Sequence, residues 1–327
     1  KPYIPRALTF EVPERIDSKG EIVDPIDEGV VLDIIKELKA QKIEAVAVCL
    51  LWSIANPKHE IQIGEMLDEH LPGVAYSLSH ILNPALREYR RATAASIDAS
   101  LKPLMASYLS SLTEHLSGAG FAGRTLVLTS QGGVIESQEM ARKPIHAVNS
   151  GPSMAPIAGR HYANLECDEQ NVIITDTGGT TYDVSLVRRG RIPKTRETWI
   201  GQPFRGHMTG FPSIDIKSVG AGGGSIARVD DGGVLHVGPQ SAGAVPGPVC
   251  YATGGSDPTF TDACLVLGYL DPGFFLGGSM VLDAASSELA IKEQIAKPLG
   301  LNLNAAAAAI VDVATENMVQ AISEITV

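Results

Sequence analysis

The sequence predicts an α/β fold of mixed sheets flanked by helices, and three observations predict it. Apolar residues over 27–42 recur at helical spacing, with Val30, Val31, Ile34, Ile35 and Leu38 on one face. The apolar run 43–52 then reads as a buried strand, and a helix and a second strand follow it, which is the alternation of α/β layers. Residues 172–187, Val-Ile-Ile-Thr-Asp-Thr-Gly-Gly-Thr-Thr-Tyr-Asp-Val-Ser-Leu-Val, place two β-branched runs on either side of a Gly-Gly turn. That is the pattern of a hairpin.

The remaining elements follow in chain order. Pro57 and Glu60 open a helix that runs to Leu71 and is closed by Pro72-Gly73, and 74–78 is a short strand. A long helical region spans 86–116, with Pro103 as a kink or a break. Residues 125–129 form another strand and lead into Ser130-Gln131-Gly132-Gly133. Asn149-Ser150-Gly151-Pro152-Ser153 precedes a small-residue helix ending near 163; Ser and Gly suit its cap, and such a helix start favours anions. Beyond the hairpin, 190–260 is glycine- and strand-rich, and helices are expected at 261–268, 286–298 and 303–326.

With 327 residues, 44% hydrophobic and 19% charged, the chain can bury sizeable cores in two domains. A net charge of −11 argues against a non-specific nucleic-acid binder, which needs a basic face. Cys49, Cys167, Cys250 and Cys264 are scattered without a C-x-x-C pair, which suits a reducing, cytoplasmic setting rather than a zinc knuckle or a disulfide scaffold. Cys49 and Cys264 sit in apolar runs and are expected in the core, as are Trp52 and Met105. No stretch reaches the roughly 20 apolar residues of a membrane helix and no signal peptide opens the chain, so no membrane partner is expected. The chain starts at Lys1 without Met and stops at Val327 directly after an apolar helical pattern, which reads as an internal fragment of a longer protein.

The chemistry concentrates at the glycine loops. The 176–183 turn sets backbone N–H groups and hydroxyls beside two acids, Asp176 and Asp183. Glycine lets such a turn approach polyphosphate closely, and a nearby carboxylate can hold hydrated Mg²⁺. An ordinary hairpin is the plainer alternative. Gly220-Ala221-Gly222-Gly223-Gly224-Ser225 carries three consecutive glycines, which implies a close backbone approach to a ligand or to another strand. A third loop, 240–248, reads as a structured loop shaping a cleft. None of them fits the P-loop or the dinucleotide fingerprint.

Taken together, these strings resemble one family. Asp176-Thr-Gly-Gly-Thr-Thr-Tyr-Asp183-Val-Ser looks like the second phosphate motif of the actin/Hsp70/sugar-kinase ATPase superfamily. Asn56-Pro57-Lys58-His59-Glu60, Arg87-Glu88-Tyr89-Arg90-Arg91, Ser130-Gln-Gly-Gly133 and Ser150-Gly-Pro152 resemble the hydantoinase A/5-oxoprolinase family. So do Ser218-Val-Gly-Ala-Gly-Gly-Gly-Ser225-Ile-Ala, Gly238-Pro-Gln-Ser-Ala-Gly-Ala-Val-Pro-Gly-Pro248 and Thr261-Asp262-Ala263. The resemblance runs over essentially the whole chain, and the Gly-Pro-Gln-Ser-Ala-Gly-Ala string is very specific.

The resemblance implies an actin-like ATPase fold with two ribonuclease H-like lobes, 1–85 being the remainder of the first and 86–327 the second. It implies ATP and Mg²⁺ as cofactors, and ATP-dependent opening of a small cyclic amide through phosphorylation of its carbonyl oxygen. A separate B-type subunit or domain would complete the reaction, in an oligomer. By analogy Asp176 holds the hydrated Mg²⁺ or orients the attacking group, and Asp183 supports the turn or the metal shell. Gly178, Gly179, Thr180 and Thr181 would cradle phosphates, with Gly222, Gly223, Gly224 and Ser225 as the second cofactor-binding loop. The family's first phosphate motif and its later adenosine-binding Gly-Gly motif do not occur in residues 1–327, which predicts weak ATP binding by this chain alone. Ser150-Gly-Pro-Ser-Met-Ala-Pro156 also departs from the usual Gly-Pro-Ala-Ala-Gly run, stiffening that helix start.

Acetone and acetophenone carboxylase subunits share the superfamily and form the alternative enzyme reading. A chaperone-like Hsp70-type ATPase switch, or a catalytically inert interaction platform, are the rivals from other classes. Among single residues, His146, His207 and His236 are expected to be structural or on the surface, without metal-ligand spacing. Thr261 or Asp262 is expected to cap its helix, with a cleft role as the alternative. Asp215 and Lys217 read as an ion pair on a strand, and Arg87, Arg90 and Arg91 as a solvated helix face.

Overall fold

The computed structural model describes residues 2–201 and 204–326. The chain forms two compact units, Lys1–Met154 with Lys194–Ile214, and Ala155–Pro193 with Asp215–Val327. The expected division at 85/86 falls inside the first of these units.

In chain order the strands and helices are β1 (Arg15–Ile16), β2 (Ile22–Asp24), α1 (Glu28–Ala40), β3 (Ala45–Val48), α2 (Lys58–His70), β4 (Ala75–Leu78), α3 (Ser79–Leu82), α4 (Glu88–Gly118), β5 (Leu126–Leu128), β6 (Val134–Glu136), α5 (Ser137–Arg142), α6 (Met154–Cys167), β7 (Val172–Thr177) and β8 (Tyr182–Val187). There follow β9 (Trp199–Ile200), β10 (His207–Met208), β11 (Ile216–Val219), β12 (Ser225–Val229), β13 (Leu235–Ser241), α7 (Phe260–Val266), α8 (Ala284–Ile291), α9 (Lys297–Leu299) and α10 (Leu303–Thr326).

In the first unit, α1 begins where Asp27 accepts the Val30 amide, and its Val31, Ile35 and Leu38 are buried against Val48, Ile63, Leu67 and Leu78. The expected strand 43–52 shortens to β3, which pairs in parallel with β4. α4 runs unbroken through Pro103, which lies exposed, beyond most of the helix's buried residues (Arg91 to Ala99). One missing backbone hydrogen bond on that outer stretch does not end a helix anchored by its first three turns.

In the second unit, β8 is the middle strand of a three-stranded antiparallel sheet ordered β11-β8-β7. Its Tyr182 and Val184 pack with Ala321, Met318 and Ile322 of α10. The antiparallel pair β12–β13 shares a second core with α7, α8 and α10, built on Ala227, Val237, Ala263, Ile291, Ile295 and Ile310. A π-helical turn over Lys292–Ala296 joins α8 to α9 inside the expected 286–298 helix.

Among the described residues, parallel and antiparallel pairing occur in separate small sheets rather than within one mixed sheet. Cys250 is the fully buried cysteine, whereas Cys49 and Cys264 are half-buried, as are Trp52 and Met105. No single helix among the described residues is long and apolar enough to cross a membrane. The segments Ala284–Leu299 and Leu303–Thr326 qualify only as a pair, bent by 85°, and both contribute residues to the core.

Candidate functional site

The sequence reading centres on one structure in the second unit, the tip of the β7–β8 hairpin. The register pairs Asp176 with Asp183 and Thr177 with Tyr182, and the Gly178 N–H closes the turn on the Thr181 carbonyl at 2.9 Å. Asp176, Gly178, Gly179 and Thr180 are exposed, and Thr181 and Asp183 are half-buried. The backbone N–H groups of Gly179 and Thr180 meet no acceptor among the described residues.

The carbonyls of the same turn face the protein. Gly178 O accepts from the Gly223 N–H at 3.0 Å and Gly179 O from the Gly224 N–H at 2.7 Å. Two carbonyls of the turn are thereby committed to the glycine loop, while two of its N–H groups stay unpaired among the described residues. A Cβ on Gly222 would lie 2.6 Å from Gly178 O and 2.8 Å from Thr180 N, and one on Gly224 would lie 2.8 Å from Ser241 Oγ. The close approach predicted for this glycine run is therefore to backbone. Gly222 and Gly224 are buried and Gly223 half-buried, while Ser225 is fully buried with its hydroxyl accepting the Gly222 N–H at 2.8 Å.

The two acids differ. Asp183 Oδ1 accepts from the Ser218 hydroxyl, supplied by β11 directly opposite, and Oδ2 accepts from Thr181 Oγ1 at 3.4 Å. The Asp176 carboxylate has no hydrogen-bond partner among the described residues. Directly opposed residues of an antiparallel pair share a face, so two carboxylates point the same way, an arrangement that costs stability unless a cation lies near them. Charge and donors together suit a hydrated divalent cation beside a phosphate. No cluster of three or more metal-ligating side chains occurs among the described residues.

Two further loops brace the tip. Ser241, at the end of β13, lies 3.4 Å from Thr180 Oγ1 and 3.4 Å from Gly179 O, and its oxygen accepts the Gly243 N–H. Thr261 donates both its amide (2.8 Å) and its hydroxyl (2.7 Å) to Gly223 O. Ser218 and Ser241 were missed as single residues because they lie inside longer glycine-rich strings. Only the strand register and the loop closure bring them to the hairpin.

Several single-residue expectations are corrected. The α7 cap is Thr259, not Thr261 or Asp262, and Asp262 is the third helical residue completing a capping box. The Asp262 carboxylate is fully buried and also accepts from Val249 N, Cys250 N and Ser287 Oγ. Burial, and then that carboxylate, push the Cys250 thiol up to about 12. Lys217 pairs with Glu324 of α10 rather than with Asp215. Arg91 is buried, donating to Leu50 O, Ala85 O and Ser79 Oγ, while Ser79 itself donates to the buried Glu60. Only Arg87 and Arg90 of that trio are exposed, Arg90 pairing with Glu197. Of the histidines, His146 meets Phe211 edge-on and is held below its ordinary pKa by burial, His207 meets Tyr3, and His236 pairs with Asp230.

The family model for hydantoinase/oxoprolinase matches residues 91–327, and that for the hydantoinase/oxoprolinase N-terminal region matches 1–71. Caprolactamase subunit alpha of Pseudomonas jessenii is 38% identical over 324 residues, 99% of this chain and 46% of that protein. The acetophenone carboxylase gamma subunit of Aromatoleum aromaticum is 38% identical over 98% of this chain and 44% of its own length. The nucleotide-free structure of acetone carboxylase, solved in work on ATP-dependent acetone carboxylation, superposes with a TM-score of 0.82 at 31% identity, covering 96% of this chain and 44% of that one. The chain thus spans less than half the length of these relatives. By both its family-model matches and these identities, it belongs to the hydantoinase/oxoprolinase family.

Proposed function

We propose that this chain is the nucleotide-handling part of an ATP-dependent enzyme that opens a cyclic amide by phosphorylating its carbonyl oxygen. One observation carries the reading: the hairpin tip leaves the Gly179 and Thr180 N–H groups unpaired among the described residues, beside an unpartnered carboxylate, while the Gly178 and Gly179 carbonyls are taken by the glycine loop behind. Bound Mg·ATP would supply the transferable phosphoryl group. Asp176 would hold the hydrated Mg²⁺, and Gly178, Gly179, Thr180 and Thr181 would bind phosphate oxygens. Asp183, fixed by Ser218 and Thr181, would keep the strand pair in register and add negative charge behind the metal's waters. Gly222, Gly223, Gly224 and Ser225 would act by holding the turn in shape. Catalysis of this kind is mostly positioning and charge neutralisation.

The actin-like architecture, with 1–85 and 86–327 as parts of two lobes, belongs to the same proposal, as does assembly with a B-type subunit into an oligomer. The subunit names of the relatives support a multisubunit enzyme. A ketone carboxylase subunit is the second reading, favoured by the equal 38% identity to the acetophenone carboxylase chain. In the intact assembly, ATP hydrolysis should rise with 5-oxoproline or a hydantoin and not with small ketones, and Asp176→Ala should abolish that rise. Stimulation by ketones alone would select the carboxylase reading, and full activity in Asp176→Ala would remove the hairpin from the site.

A further inference from the structure

The segment between α7 and α8 is an ordered turn with four large apolar side chains facing outward. Tyr269, Phe274, Leu276 and Val281 are 66–73% exposed. Such side chains on a loose loop would mean little, but this loop is tied down. Phe275 and Met280 form an antiparallel bridge, the Leu282 N–H donates to Pro272 O at 2.9 Å, and the Phe274 N–H donates to Asp271 O at 3.3 Å. Alternation about the bridge explains the geometry. Phe275 and Met280 turn inward onto the cluster of Cys250, Leu265 and Leu282, with Phe275 also against Tyr251. Their neighbours Phe274 and Val281 are then turned outward on the opposite face. Leu276 at φ 50°, followed by Gly277 and Gly278 at φ 67° and 85°, makes the tight return.

The charge carried by this stretch of chain has one sign. No lysine or arginine occurs between Arg228 and Lys292, while that stretch carries Asp230, Asp231, Asp257, Asp262, Asp271, Asp283 and Glu288. Asp257, Asp271 and Glu288 are exposed. A pre-ordered apolar knob on a stretch whose exposed charges, Asp257, Asp271 and Glu288, are acidic marks an interface and also selects its partner. A second copy of this chain would set acid against acid. We infer that the Tyr269–Phe274–Leu276–Val281 surface docks a different subunit, one that offers an apolar groove rimmed by lysine and arginine. The surface does not depend on the hairpin's chemistry; the choice of another subunit as occupant rests on the multisubunit reading above.

The test uses this chain and the B-type subunit from the same source, with the dissociation constant measured by calorimetry at low and high salt. Phe274→Ser combined with Leu276→Ser should weaken the complex by about 30-fold or more, as interface anchors do. Asp271→Lys should weaken the complex by about tenfold at low salt and flatten its salt dependence. Val281→Asp serves as an independent apolar probe. Phe274, Leu276 and Val281 are exposed, so thermal melting of those variants should be unchanged. A complex that ignores these substitutions overturns the surface and leaves the multisubunit reading standing. Absence of any complex overturns both. Sedimentation showing self-association that the substitutions abolish would make a second copy the occupant and overturn the inference.

Discussion

Asp262 and Asp176 lie in the same unit, each beside a glycine-rich loop, and their carboxylates live in opposite conditions. Asp262 is fully buried and accepts from two loop amides, from the Thr259 amide and hydroxyl, and from Ser287. Asp176 is exposed, accepts nothing among the described residues, and faces another acid across the strand pair. A saturated buried carboxylate has no capacity left for chemistry and serves to stitch loop 249–250, α7 and α8 together. An unsaturated exposed one holds the fold together very little and is free to meet a ligand. The contrast separates framework from candidate site more clearly than the glycine motifs do, since both acids sit within such motifs.

The largest expected effect is on the framework side. Asp262→Ala strands five donors and should cost about 3–5 kcal/mol, read as a lower urea midpoint with an unchanged slope. Next comes Gly222→Ala, whose methyl group would collide with the hairpin turn at Gly178 and Thr180 and should cost about 1–3 kcal/mol by the same measurement. The smallest effect belongs to Asp176→Asn, which should leave stability within about 0.5 kcal/mol or raise it by relieving the Asp176–Asp183 repulsion. The same substitution should erase any rise in melting temperature that millimolar Mg²⁺ gives the unmodified chain. If Asp176→Asn destabilised as much as Asp262→Ala, the division between site and framework would fail.

Much of the fold is legible in the sequence because its signals are local. The 27–42 spacing gives α1 within two residues, Pro72-Gly73 ends α2, and the Gly-Gly turn between β-branched runs gives the β7–β8 hairpin. The hairpin acids were likewise visible, since a strand–turn–strand pattern fixes which residues flank its tip. Local signals fail wherever burial decides. Arg91 reads as a surface residue by charge and helical neighbours, yet tertiary packing encloses it because Leu50, Ala85 and Ser79 offer acceptors from outside its own helix. Asp262 reads as a cap, while its partners at 249, 250 and 287 are distant in sequence.

On its own, the sequence determined the helical and strand periods, the exposed acidic hairpin and the family, because each is written in adjacent residues or in ordered strings. Tertiary structure alone decided that the 220–225 glycines meet a backbone, and that Ser218 and Ser241 reach the hairpin. It alone also saturated one aspartate and left the other bare. Those outcomes depend on which groups chain folding brings within hydrogen-bond range, and no spacing along the chain encodes that distance.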